Sequence, residues 1–174
     1  MKTCSLLLTM TMVALSAEAA DKKPPKSPPA ETSATIGGKQ VKIDYGAPSA
    51  RGRKIFGELV PHGKVWRTGA NAATTLTTDA DLDIKGLKVP KGKYTLFTLP
   101  TDNGMALIVN KQTGQWGTEY DDSKDLGRVQ MDVSKPEKPV EKMEIKLAPA
   151  GDDKGTLTIA WENLSASVPV AISH

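Results

Sequence analysis

From residue 41 onwards, apolar and polar positions alternate with a period of two. Val41, Ile43 and Tyr45 are separated by Lys42 and Asp44, and Met143, Ile145 and Leu147 by Glu144 and Lys146. Leu157, Ile159 and Trp161 flank Thr158 and Ala160, and Val168, Val170 and Ile172 repeat the spacing. Successive side chains of a strand point to opposite faces, so each run predicts a strand with one face on a core. Tyr94 to Leu99 is apolar at both parities, which predicts a strand at the centre of the sheet. Turn-forming clusters separate the runs at Lys85-Gly86, Pro90-Lys91-Gly92, Asp102-Asn103-Gly104 and Gly151-Asp152-Asp153. No long 3.6-residue pattern competes. The expected fold is all-β, a β-sandwich or jelly-roll of about eight to ten mostly antiparallel strands. Short helical turns are expected over residues 52–59, where Ile55, Phe56 and Leu59 precede Pro61, and over residues 121–126.

The alternation fails over residues 51–75, RGRKIFGELVPHGKVWRTGANAATT. A connection of that length inside a compact domain is commonly functional or ordered by its own packing. Arg51, Arg53 and Arg67 offer forked donors suited to carboxylate, phosphate or sugar hydroxyls, Trp66 a flat apolar face, and Asn71 a donor and an acceptor. A second cluster, Gly114 to Asp125, carries Trp116 and Tyr120 beside Glu119, Asp121, Asp122 and Asp125. Aromatic rings next to carboxylates suit carbohydrate. The candidate ligand-binding residues are therefore Arg51, Arg53, Trp66, Arg67, Asn71, Trp116, Tyr120 and Asp121. The competing reading is structural: arginines tie a long loop to carbonyls or to the acids of the second cluster, Trp66 joins the core, and the second cluster is a hairpin end whose aromatics cap the sandwich and whose acids cap a short helical turn.

Composition narrows the chemistry. The chain has 174 residues with a net charge of +3, one domain by length and too weakly basic for a nucleic-acid surface. Residues 1–19 read as a secretory signal: Lys2, an apolar run from Leu6 to Leu15, then Ala17-Glu18-Ala19 at the cleavage site. The apolar run is too short to span a membrane. Residues 20–33, with Pro24-Pro25 and Pro28-Pro29, are expected to be a flexible linker, and residues 34–174 the domain. Export to the periplasm or medium is the expected location. The single cysteine, Cys4, lies in the signal, so a mature thiol-free chain would have neither disulfides nor thiolate chemistry. The two histidines, His62 and His174, and the triplet Asp79, Asp81 and Asp83 do not form a metal-binding pattern, so no metal and no cofactor is expected. No G-x-S-x-G occurs.

Four stretches together carry a resemblance: RGRKIFGELVPHGKVWRTGANAATTLT, KVPKGKYTLFTLP, NKQTGQWGTEYDDSKD and LTIAWENLSASVPV. The chain resembles, from about Ile36 to Ile172, the bacterial exported family catalogued as domain of unknown function 2911. The resemblance implies an envelope β-sandwich and assigns no activity, substrate or cofactor. Its recurrent positions fall here on Arg53, Gly57, Pro61, Gly63, Trp66, Arg67, Gly69, Asn71 and Thr74, while His62 replaces a commonly aromatic position.

Three functions fit. The first is a non-enzymatic module binding a carbohydrate or small anion, with the Arg67 loop facing Trp116 and Tyr120. The second is a carbohydrate-active hydrolase or isomerase using Glu58, Glu119 or Asp121. The third is a scaffold for protein contacts. No oligomeric state is assigned.

Overall fold

The computed structural model describes residues 25–174, so the expected signal and residues 20–24 of the expected linker lie outside it. Eleven strands follow in order: β1 (Pro29–Ile36), β2 (Lys39–Gly46), β3 (Thr75–Thr78), β4 (Leu82–Ile84), β5 (Leu87–Val89), β6 (Gly92–Thr101), β7 (Gly104–Asn110), β8 (Asp125–Ser134), β9 (Val140–Pro149), β10 (Lys154–Glu162) and β11 (Leu164–Ile172). They pair antiparallel in the order β1-β2-β3-β6-β7-β8-β11-β10-β9, with the β4-β5 hairpin attached to β11. The expected all-β antiparallel fold is present. Nine strands make the main path, and β4 and β5 off it, three residues each, are too short to show a period.

The strand apolar at both parities is central. β6 lies mid-path between β3 and β7, and every residue from Tyr94 to Thr98 is buried. Tyr94 and Leu96 enter the main core with Leu107, Val109, Ile159 and Trp161. Phe97, of opposite parity, is buried by the segment that follows β7: the Tyr120 ring meets it edge-on at 4.8 Å. In the same segment the Gln115 amide donates to Thr95 Oγ1.

Two local expectations need correction. Residues 52–59 form no helix; they are turns, in which the Val60 N–H donates to the Ile55 carbonyl and the Gly57 N–H to the Val60 carbonyl. Gly52 and Gly57, at φ 70° and 90°, take the backbone out of helical conformation, and Ile55 is apolar because it enters the core. The expected linker boundary at residue 34 falls inside β1, which pairs with β2 from Pro29↔Gly46 to Ile36↔Lys39. Small half-buried residues, Ala30, Thr32 and Ala34, line its inner face, and Pro29 sits at the first position, where a missing N–H is tolerated. The second expected turn is present as a 3₁₀ helix, Asp122–Lys124.

The ends of the path come together, making the fold nearly barrel-like. The outward N–H groups of β9 are met in succession: Met143 donates to the Pro48 carbonyl at 2.8 Å, Ile145 to Tyr45 Oη at 3.1 Å and Leu147 to Thr32 Oγ1 at 3.2 Å. Side-chain hydroxyls replace a ladder along much of this seam. Buried amides left without acceptors would be costly, so the seam is part of the fold's stability.

Among the described residues no helix is long and apolar enough to cross a membrane. Nor does any group of three or more His, Cys, Asp or Glu side chains there form a possible metal site.

Candidate functional site

Residues 47–74 connect β2 to β3 across one end of the fold. Main-chain bonds fix this excursion at several points. Trp66 and Thr98 exchange N–H···O bonds of 2.7 and 2.9 Å, which lays Trp66 alongside β6. Gly63 N–H reaches the Pro100 carbonyl and Ala70 N–H the Gly46 carbonyl. The last contact needs close main-chain approach: a Cβ on Gly69 would sit 2.9 Å from Thr74 Oγ1, and one on Gly46 would collide with the Ala70 carbonyl. Between Arg67 and Gly69, buried Thr68 is held at φ 54°, strained for a β-branched residue, with its hydroxyl on the Trp66 carbonyl and Thr98 Oγ1.

Under this excursion lies a cavity of about 430 Å³. Trp66 and Trp161 line it as a stacked pair, 5.6 Å between centroids and 16° from parallel, and Phe56 meets Trp66 edge-on at 6.2 Å. Val60, Val65 and Phe97 add apolar wall, and Leu59, 47% exposed, stands at the rim. Arg53 and Arg67 supply positive charge, and among the described residues no Asp or Glu lines the space. Arg53 is fixed by its own turn, Nε donating to the Ala50 carbonyl and Nη2 to that of Ser49. Among the described residues, half-buried Arg67 has one side-chain partner, its Nε donating to the Gly69 carbonyl at 3.1 Å. Its stem crosses Gly117, where an added Cβ would stand 2.8 Å from Arg67 Cδ.

Of the eight candidates, Arg53, Trp66, Arg67 and Tyr120 line this cavity. Tyr120 is heavily engaged: its hydroxyl donates to Asp125 Oδ2 at 2.7 Å and accepts from Arg128 Nη2 at 2.8 Å. Burial, then the Asp125 bond, push its phenol up to about 12. Arg51 and Asn71 are elsewhere, both at positive φ and both holding the N-terminal segment, through the Lys26 and Ser27 carbonyls. Asn71 also lines a second hollow with Asp44, Tyr45 and Lys93. Trp116 is 52% exposed and lies outside the cavity lining. Asp121 caps the 3₁₀ turn, accepting from Ser123 Oγ and N–H, which hold its carboxyl below the usual range.

The two loops do meet, through main chain: Gly117 N–H donates to the Asn71 carbonyl at 3.1 Å, and Ala72 and Trp116 form a bridge. Of the acids of the second loop, Asp125 pairs with an arginine, Arg128 on β8 and not one from the first loop. Phe97 and Trp161, assigned to strands by their period, also line the cavity. The doubly apolar character of residues 94–99 was the one signal that Phe97 faces something other than the main core.

No curated relative and no solved structure matches the chain. The sequence does match, over residues 27–170, the family described as protein of unknown function (DUF2911). That span covers most of the chain and every residue of the cavity, and the chain belongs to this family.

Proposed function

We propose that the chain is a non-enzymatic binding module that takes a small anion in the cavity beneath residues 47–74. The observation that carries this reading is Arg67, a half-buried guanidinium beside a cavity with aromatic and aliphatic walls, which among the described residues has one carbonyl partner and no carboxylate. A cation withdrawn from water and left uncompensated is unfavourable, and an anion docking on its forked terminal nitrogens would relieve that. Carboxylate-based hydrolysis fits less well, because an acid or base must lie within hydrogen-bond reach of the substrate. Glu58 pairs with Lys54, Asp121 caps a turn, and neither lines the cavity. Action outside the cytoplasm, expected from residues 1–19, belongs to the same proposal; an exported product retaining those residues would refute cleavage.

The test is a thermal-shift and calorimetric comparison of wild type and Arg67→Ala with small carboxylates. Wild type should gain stability saturably, and the variant should lose affinity at least about tenfold. Without ligand, the variant should differ by only about 1 kcal/mol, since a single intramolecular bond is removed. A large loss of stability together with no anion effect on wild type would favour the scaffold instead. A carbohydrate reading has its own observation, the exposed Trp116 ring on a loop anchored by its bridge to Ala72. Glycan binding abolished by Trp116→Ala, with anion stabilisation intact, would select it.

A further inference from the structure

Resting on the anion reading above, we infer that the cavity is built for an amphipathic monocarboxylic acid, with a compact apolar body and one acid group. The polar inventory limits the ligand first. Arg53 has committed Nε and Nη2 to main-chain carbonyls, whereas Arg67 keeps both terminal nitrogens for a ligand. One open planar fork matches one carboxylate in bidentate geometry. Tyr120 already donates to Asp125 and accepts from Arg128, so its hydroxyl is poorly placed to serve a ligand as well. Side-chain acceptors for ligand hydroxyls are reduced to the hydroxyls of Ser27 and Thr118. A sugar brings several hydroxyl donors, each unfavourable to bury without an acceptor.

The walls limit it from the other side. Trp161, Phe97 and Val60, which line the cavity, are almost fully buried, whereas exposed Arg53 and half-buried Arg67 reach solvent. Apolar surface is inside and charge outside. A ligand that follows this gradient inserts a ring or short branched chain against the indole pair and leaves its carboxylate at Arg67. The volume, about 430 Å³, lies toward the lower end of the range for small-molecule pockets, which suits a compact body and not a long acyl chain.

Calorimetric titration of the full chain with four probes tests this: 4-phenylbutanoate, its neutral counterpart 4-phenylbutanol, gluconate and inorganic phosphate. The expected result is 4-phenylbutanoate binding at least about tenfold tighter than the other three, with the preference over the alcohol lost in Arg67→Gln. Leu59→Asp, at the half-exposed rim, should weaken 4-phenylbutanoate more than the alcohol, because only the acid meets like-charge repulsion. Gluconate or phosphate binding as tightly as 4-phenylbutanoate would overturn the amphipathic assignment and leave the anion site standing. The alcohol binding as tightly as the acid, or no probe binding at all, would remove both.

Discussion

Gly117 sits where two neighbours leave no room for a side chain. A Cβ there would approach Arg67 Cδ and the Asn71 carbonyl, each at 2.8 Å, and the carbonyl is main chain that cannot swing aside. Gly117→Ala should therefore destabilise the protein by about 1–3 kcal/mol and displace the Arg67 stem, read as a lower melting temperature together with weakened anion binding. Tyr120 offers a titration. Its phenol is raised to about 12 by burial and by Asp125, so the folded state favours the protonated form. The unfolded value is about 10, so the stability it contributes is complete below about pH 10 and is lost as pH rises toward 12. Tyr94 is raised too, by burial and by Asp81, so the difference in alkaline ultraviolet absorbance between wild type and Tyr120→Phe isolates the group. A difference transition near 10 would contradict the buried assignment. Arg67 and Trp66 stood out in the sequence because they interrupt a period of two. A tying role was one of the two readings of the loop's arginines, but the partners of Arg51 and Asn71 were not legible, because they are main-chain carbonyls of Lys26 and Ser27, and a carbonyl leaves no mark in the residue type.

Among the elements, the seam beside β9 is the most exposed to single substitutions. Tyr45→Phe and Thr32→Val each remove a hydroxyl that accepts from a β9 amide, at Ile145 and Leu147, both buried residues. Each should lower stability by about 1–3 kcal/mol and speed hydrogen exchange at that amide while leaving the neighbouring β9-β10 ladder protected. Unchanged exchange at both amides would show that the seam has other acceptors. Strands with large alternating residues, such as β10, were legible from the sequence. β1 was not, since it carries no large apolar residue before Ile36 and its pairing is carried by main chain and by Thr32. Residues 52–59 misled for the opposite reason: Ile55, Phe56 and Leu59 are apolar because they serve the core, the indole pair and the cavity rim, and their helical spacing is incidental.

The whole molecule depends on what precedes residue 34. Removing the chain through Ser33 would delete most of β1, the Thr32 acceptor, the Pro28 carbonyl that receives Ala47 N–H and the Ser27 carbonyl that holds Asn71. Such a truncation should lose at least about 3 kcal/mol, lowering the melting temperature by roughly 10 °C if it folds at all. Melting by circular dichroism decides it, and an unchanged midpoint would restore the linker reading. The strand order itself was beyond the sequence, because partners such as β2 and β3 are separated by the entire 47–74 excursion.

One consequence follows from the stacked tryptophans. Two indoles stacked with centroids 5.6 Å apart and planes 16° from parallel have electronic transitions that couple, so any in-plane twist between those transitions should give a paired positive and negative band in circular dichroism that neither ring gives alone. Because both rings face the same hollow, an occupant touching either would alter that couplet. The fold thus carries an optical reporter of its own occupancy, usable without any added label.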